Sequence, residues 1–257
     1  MTPVAAVLVT RNSMAYLQKT LDSIQGQSRK PDILIAIDDR STDDTVDLLS
    51  EAGFTVRTST SSASDLSTRI AQNFVHGIRV AEQHGAEVVV LGDHDDVWHS
   101  DRVAHQSSIL EANLGLAMVA SDGFLIDGNG VALPGTIRST FPIPDNFAQL
   151  SLHRQLGYAL RHSIATGGAS AIRPARFSQS FVPSGWLHDR WWSLVSVREQ
   201  GFLADPTSVI DYRISSDQQV GLNAVDQNRS LVWWSTRVRR LRSSTGRAKD
   251  IASLLRS

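Results

Sequence analysis

The densest chemistry in the sequence is Asp93-His94-Asp95-Asp96, three carboxylates within four residues. Carboxylates this close repel one another unless a cation neutralises them. A hard divalent ion held by one or two of them and by diphosphate oxygens is one solution, and it also stabilises a departing nucleotide diphosphate. The bland alternative is a solvated turn or the caps of a following helix. A second acidic pair, Asp38-Asp39, offers a carboxylate that can accept the imide N–H of uracil or thymine, or an N–H of guanine. Capping does not require that pair, because Ser41 as N-cap with Asp43 and Asp44 in the first turn already supplies it. A third carboxylate, Asp189, stands at a helix start beside Trp191 and Trp192. It reads as a general base for an acceptor hydroxyl or, equally, as an N-terminal cap. The tryptophans read as core or as an apolar platform under a sugar ring. His94, His99 and His188 lie near carboxylates without the spacing of a metal-ligating helix, so they read as hydrogen-bonding residues.

The elements that must position these groups alternate along the first hundred residues. Val4 to Val9 and Ile33 to Ile37 are continuous apolar runs, the pattern of strands buried on both faces. Leu17, Leu21 and Ile24 recur at helical spacing, and Leu48 and Leu49 would face the sheet from the next helix. Thr55 to Thr58 is a weaker strand, Leu66 to His84 a helix ended by Gly85, and Val88 to Leu91 a fourth strand. This alternation predicts a mostly parallel sheet whose ligands bind beyond the carboxyl ends of the strands. Thr10-Arg11-Asn12, Asp38-Asp39 and the Asp93 cluster all fall at such ends. The second half is less regular: strand material over Leu116 to Ile126, a turn at Asp127-Gly128-Asn129-Gly130 and a loop over Phe141 to Asn146. A strand interrupted by Gly167-Gly168 (Ile164 to Ile172), a helix over His188 to Gln200 and a strand over Ser208 to Ile214 follow.

Composition bounds the function. The 257 residues are 41% hydrophobic and 20% charged with a formal net charge of −1, which argues against a nucleic-acid partner. With no cysteine, disulfides, thiolate catalysis and cysteine-held zinc are excluded. The N-terminus lacks a signal-peptide pattern, and no run approaches the roughly 18–20 apolar residues of a spanning helix. The expected location is therefore cytoplasmic. From Asp226 on there are eight basic and two acidic residues, so an acidic body of −7 precedes a tail of +6. Asn228 to Leu241, with Trp233, Trp234 and Arg237, Arg239 and Arg240, reads as a basic helix. It either packs on the body or lies peripherally on the inner face of the cell membrane. No phosphate-cradling P-loop, dinucleotide fingerprint or nucleophile elbow is present.

Taken in order, the motifs resemble the family 2 glycosyltransferases of the GT-A fold, especially bacterial rhamnosyltransferase-like members, over about residues 4 to 221. Val7-Leu8-Val9-Thr10-Arg11-Asn12 with Tyr16-Leu17 and Leu21-Asp22-Ser23-Ile24 looks like the family's opening strand and helix. Ile37-Asp38-Asp39-Arg40-Ser41-Thr42-Asp43 looks like its nucleotide-binding segment, and Asn73-Phe74 with Gly77 like its third helix. Leu91-Gly92-Asp93-His94-Asp95-Asp96-Val97-Trp98 with Asp101-Arg102 is similar to its metal motif. Thr166-Gly167-Gly168, His188-Asp189 with Trp191-Trp192, and Tyr212-Arg213 with Gly221 resemble its donor-phosphate, base and closing segments.

The resemblance implies a Rossmann-like, mostly parallel α/β sheet flanked by helices, with a nucleotide-binding half (1–115), an acceptor-binding half (116–225) and the tail (226–257). It implies an inverting, metal-dependent transfer from a UDP-, dTDP- or GDP-sugar to a glycan or glycolipid acceptor in cell-surface polysaccharide or glycolipid synthesis. Thr10, Arg11, Asn12, Asp39, Arg69 and Asp93 would bind the nucleotide, and Asp93 and Asp95 would hold Mg²⁺ or Mn²⁺. Asp189 would be the base; Asp96, Trp98, Gly167, Gly168, His188 and Trp191 would form the donor and acceptor pocket. Two positions depart from the family pattern: Arg11 replaces an aromatic residue, and Ser215 stands where a histidine often follows Tyr-Arg. A sugar-nucleotide nucleotidyltransferase would need a Gly-rich basic loop after the first strand, which Thr10-Arg11-Asn12-Ser13 lacks. A catalytically weak or inactive nucleotide-sugar-binding module is favoured only by Ser215 and opposed by Asp93, Asp95 and Asp189.

Overall fold

Apolar, β-branched runs set the strands, and polar residues at their carboxyl ends set where the sheet meets solvent. The computed structural model describes residues 2–215 and 249–254. Its elements begin with β1 (Val4–Thr10), α1 (Leu17–Gln25), β2 (Ile33–Asp38), α2 (Thr45–Glu51), β3 (Thr55–Thr58), α3 (Leu66–Gln83) and β4 (Val88–Asp93). They continue with β5 (Val97–Trp98), α4 (Arg102–Ala112), β6 (Met118–Asp127), β7 (Ala132–Thr136), α5 (Ile137–Thr140), α6 (Leu152–Arg161), β8 (Ser170–Ile172), α7 (His188–Arg198) and β9 (Phe202–Ile214). Among the described residues one sheet runs β3-β2-β1-β4-β8-β6-β9-β5, with β7 paired to β6. The first four strands are parallel, and β8 is antiparallel to both β4 and β6. The carboxyl ends of β1, β2, β4 and β6 therefore share one edge.

Core packing follows the sequence pattern. Leu17, Leu21 and Ile24 of α1 are buried, and so is Thr20 on the same helix face. Gly77 lets α3 approach the sheet, since a Cβ there would lie 2.5 Å from Val7 Cγ1. The α1, β2, β3 and α3 expectations hold, with β4 running two residues further to include Asp93.

Four expectations change. Ser41 is not an N-cap: α2 begins at Thr45, and the Ser41 hydroxyl instead donates to Asp38 Oδ1 (2.5 Å) while accepting the Asn12 N–H (2.8 Å). Leu49 is buried in α2, whereas Leu48 is only half-buried. Gly167–Ala169 forms a 3₁₀ turn before a three-residue strand, with the side chains of Asp93 of β4 and His188 of α7 packed against its two glycines. The last strand begins at Phe202, not Ser208. The chain divides into two compact units, Met1–Arg213 and Ile214–Ser257, and the elements of the candidate site lie in the first. The basic-helix expectation over Asn228 to Leu241 falls outside the described residues. No described helix is long and apolar enough to cross a membrane.

Candidate active site

Three polar clusters converge at the shared edge. At the end of β1, Thr10 donates its hydroxyl to Asp38 Oδ1 (3.1 Å), while Asp38 Oδ2 accepts the Ser41 N–H (2.8 Å). Asn12 sits at φ 47° and Arg40 at φ 60°, left-handed conformations that L-residues adopt at some cost. Asn12 Oδ1 accepts the Thr42 N–H (2.8 Å), so the two strand ends are stitched together. Asp38 is thereby consumed in building the loop, whereas the Asp39 carboxylate takes no part in these bonds. Buried Asp39 is ringed by cations: Arg69 Nε at 2.7 Å and Arg11 Nη1 at 3.3 Å from Oδ2, and Arg40 Nη1 at 3.5 Å from Oδ1. Its Oδ1 has no hydrogen bond among the described residues. Thr10, Arg11, Asn12, Asp39 and Arg69 are thus brought into one group.

The second cluster is the loop after β4. It is held from two sides. Thr20 Oγ1 contacts the carbonyls of His94 (3.0 Å) and Asp96 (2.8 Å), and buried Arg213 donates through Nε to the Asp95 carbonyl (2.8 Å). The Arg213 N–H also donates to Asp96 Oδ1 (3.0 Å). Burial, then the charges of Asp95 and Asp189, raise the Asp93 carboxyl to about 7. Burial, then Asp95 and Asp93, push Asp96 well above the usual carboxylate range, and its Oδ2 has no hydrogen bond among the described residues. Fully buried Arg102 is the local counter-cation: it donates to the Leu91 carbonyl (2.6 Å), stacks 4.0 Å from the centre of a Trp98 ring, and is brought down to about 9 by burial. Trp98 is buried beneath Gly92 and under this guanidinium, so it supports the floor of the site rather than its surface.

The third cluster joins the second to α7. Asp189 lies in the first turn of α7, where Leu187 is the N-cap. Its Oδ2 accepts the Gly167 N–H (3.1 Å), its Oδ1 the Arg190 N–H (2.6 Å), and burial raises it. The next residue, Gly168, donates its N–H to Asp93, and a Cβ there would lie 2.7 Å from Asp93 Oδ2 and 2.6 Å from Asp96 Oδ2. Gly167 abuts His188, where a Cβ would lie 2.6 Å from Nε2. The His188 ring stacks on Phe74 (3.9 Å) and meets the Trp192 edge (5.0 Å); neither ring nitrogen has a hydrogen-bond partner among the described residues, and burial lowers it to about 3. It is a neutral spacer over the working range. Trp191 is buried against Trp186 and is core.

The sequence named neither clamp as a site residue. Thr20 was discoverable as a polar residue on the apolar stripe of α1, and Arg213 as the arginine of the closing motif. Gln106 of α4 had no signal; it donates to the Ala169 carbonyl (2.9 Å) and to Ser121 (2.9 Å), fixing the 3₁₀ turn from beneath.

The donor set suits a hard divalent cation with few protein ligands. Asp93 and Asp95 repel one another in a desolvated setting, which a cation relieves. Among the described residues no three His, Asp or Glu side chains form a complete metal cage. Such an ion would complete its shell with diphosphate oxygens and water.

A family model described as Glycosyl transferase family 2 matches residues 5–173. The fold is that of GT-A glycosyltransferases. S. aureus TarS 1-349 in complex with UDP-GlcNAc has a TM-score of 0.59 at 14% identity, covering 86% of this chain and 62% of that one. The M. tuberculosis glucosyl-3-phosphoglycerate synthase complex with Mn²⁺, UDP and glucosyl-3-phosphoglycerate has a TM-score of 0.57 at 16% identity, covering 88% and 75%. A mycobacterial protein has a TM-score of 0.58 at 19% identity, covering 83% and 68%. The chain spans about three fifths of the TarS chains it matches. No curated protein matches it by sequence.

Proposed function

The chain belongs to glycosyl transferase family 2, and from that premise we propose that it is a metal-dependent, inverting glycosyltransferase using a nucleotide-diphosphate sugar. The observation that carries this reading is the Gly167-Gly168 pair, which puts the Asp189 carboxylate and the Asp93 carboxylate on adjacent peptide units. A proton acceptor and a diphosphate-anchoring carboxylate so joined suit the two ends of a single displacement. Mn²⁺ in the M. tuberculosis synthase complex and UDP in both named neighbours support the choice of ligands.

In this reading Asp39 Oδ1 accepts an N–H of the base, and Arg11, Arg40 and Arg69 hold that carboxylate in place. Asp93 and Asp95 hold Mg²⁺ or Mn²⁺, which supplies charge neutralisation to the leaving diphosphate. Asp189 takes the proton of the acceptor hydroxyl as its oxygen bonds to the anomeric carbon. The bond from that carbon to the β-phosphate oxygen breaks, and its electron pair leaves with the nucleotide diphosphate. Burial raises the proton affinity of Asp189, the direction that suits a proton acceptor. The acceptor is a glycan or glycolipid of the cell surface.

The test is nucleotide release from a panel of UDP-, dTDP- and GDP-sugars with and without Mn²⁺. One donor should be turned over by the wild type, and release should be lost in Asp95→Ala and reduced in Asp189→Asn. Absence of both turnover and nucleotide-diphosphate binding would end this reading.

A further inference from the structure

A cavity of about 710 Å³ lies beside the carboxylate cluster, lined by residues of β6, α5, α6, α7 and β9 and by the loop from Pro142 to Ala148. Strand register gives its position. Val90 of β4 and Val119 of β6 both pair with Ala171. Counting three residues along each strand puts Asp93 and Asp122 at the same level and, by alternation, on the same sheet face. They are two strand spacings apart, about 10 Å. Asp122 lines the cavity. Val197, also in its wall, lies eight residues beyond Asp189 on α7, about 12 Å along the helix. The cavity is therefore separate from the transfer centre but within one or two sugar rings of it.

Its volume falls in the range of small-molecule sites, about 300–1,000 Å³. The lining sets Phe147 and Phe202, ring centres 6.1 Å apart, beside polar Asp122, Gln155 and Gln200. Asp122 Oδ1 accepts the N–H groups of Gly123 (2.8 Å) and Arg138 (3.0 Å), and its other oxygen carries no hydrogen bond among the described residues. Asp122, Asp145 and Asp205 outnumber Arg138 in the wall, so an anion is disfavoured. Apolar rings beside hydrogen-bonding edges fit a pyranose, with its C–H face and hydroxyl rim.

A second observation is independent of the lining chemistry. Gln200 terminates α7 at φ 56°, with the Gly201 N–H closing back on Ser196 O (2.8 Å). That C-terminal position favours glycine. A glutamine occupies it, and its side chain lines the cavity. Non-glycine residues in sparsely populated backbone conformations cluster at functional sites, ligand clamps among them.

We propose that this cavity is a subsite for a neutral saccharide, the portion of the acceptor remote from the reacting hydroxyl. The acceptor assignment rests on the glycosyltransferase reading; the saccharide site does not. The experiment is an oligosaccharide array of neutral and anionic glycans probed with the full chain, its Gln200→Gly variant and its Ala148→Trp variant. Calorimetry of Mn²⁺ with UDP, dTDP and GDP and a thermal scan run alongside. Ala148 is exposed on the cavity wall, so a tryptophan there fills space without entering the core. The wild type should retain neutral glycans, and both variants should lose about tenfold or more in retention, the loss of a hydrogen-bonding side chain or of the space itself. Gln200→Gly should melt at the same or a higher temperature. Retention of anionic glycans in preference, no retention, or wild-type retention of neutral glycans by both variants would overturn the proposal. Neutral-glycan retention without any nucleotide binding would leave the saccharide site standing and remove its role as an acceptor subsite.

Discussion

Replacing Gly168 by alanine tests the site at its tightest point. The added carbon would stand 2.7 Å from Asp93 Oδ2 and 2.6 Å from Asp96 Oδ2. Ordinary contact distances are several tenths of an ångström longer, so both carboxylates must rotate or the 3₁₀ turn must lift. Carboxylate ends yield more easily than backbone, so the fold should lose only the ordinary overpacking penalty of about 1–3 kcal/mol. For a chain of this size that is about 2–4 °C in Tm per kcal/mol. The larger effect should fall on chemistry. A displacement approaching 1 Å of a group that anchors the diphosphate lowers turnover by about 10². Donor hydrolysis with Mn²⁺, calorimetric binding of Mn²⁺ with the preferred nucleotide diphosphate, and a thermal scan give the three readouts. Wild-type turnover and affinity in a variant that shows the expected Tm would refute the placement of Asp93 at the diphosphate. The neighbouring Gly167→Ala is the control: its Cβ meets a His188 ring wedged between Phe74 and Trp192, which cannot rotate away. That variant should lose more stability than Gly168→Ala.

Three further outcomes are expected. Asp93 is raised to about 7, so the metal-free protein loses stability as pH rises from about 4 through 7, because the folded state resists ionising it. Affinity for Mn²⁺ with nucleotide should climb up to about tenfold per pH unit below 7 and flatten above it, with proton release visible as a buffer-dependent binding enthalpy. Thr20→Val should keep the packing of α1 but strip the hydroxyl from the carbonyls of His94 and Asp96, costing about 1–3 kcal/mol; thermal unfolding checks it, and unchanged metal–nucleotide affinity would show that the loop needs no clamp. Arg69→Met removes the closest cation from Asp39 and should weaken nucleotide-diphosphate binding by about tenfold without altering the Mn²⁺ requirement, as measured by calorimetry.

The first half of the fold was readable because β1, β2 and β4 are buried on both faces and end in polar residues. Their apolar runs, and the sudden change at Thr10, Asp38 and Asp93, mark both the strands and the edge. Ser41 misled because serine serves a helix cap and a loop clasp with the same hydroxyl, and only the position of Asp38 decides between them. The region from β7 to α6 gave little signal: β7 is almost wholly exposed and α5 is a single turn, so neither carries a buried stripe. The cavity could not be read from the chain at all, since its walls come from five elements and a loop far apart in sequence. At the candidate site, residue types were legible, but the three-arginine ring around Asp39 and the orphaned nitrogens of His188 depend on side-chain geometry that spacing does not encode.

The Gly167-Gly168 dipeptide bears on how such chains can diversify. Its two N–H groups point at the carboxylates of Asp93 and Asp189, far apart in sequence, and consecutive Cα atoms are only about 3.8 Å apart. A crossover that joined the segment up to β4 of one family member to the remainder of another would therefore inherit a mismatched junction unless the dipeptide travelled with its floor, Gln106 of α4. Shuffled chimeras with breakpoints between β4 and β8 should be viable chiefly when α4 and the dipeptide come from the same parent.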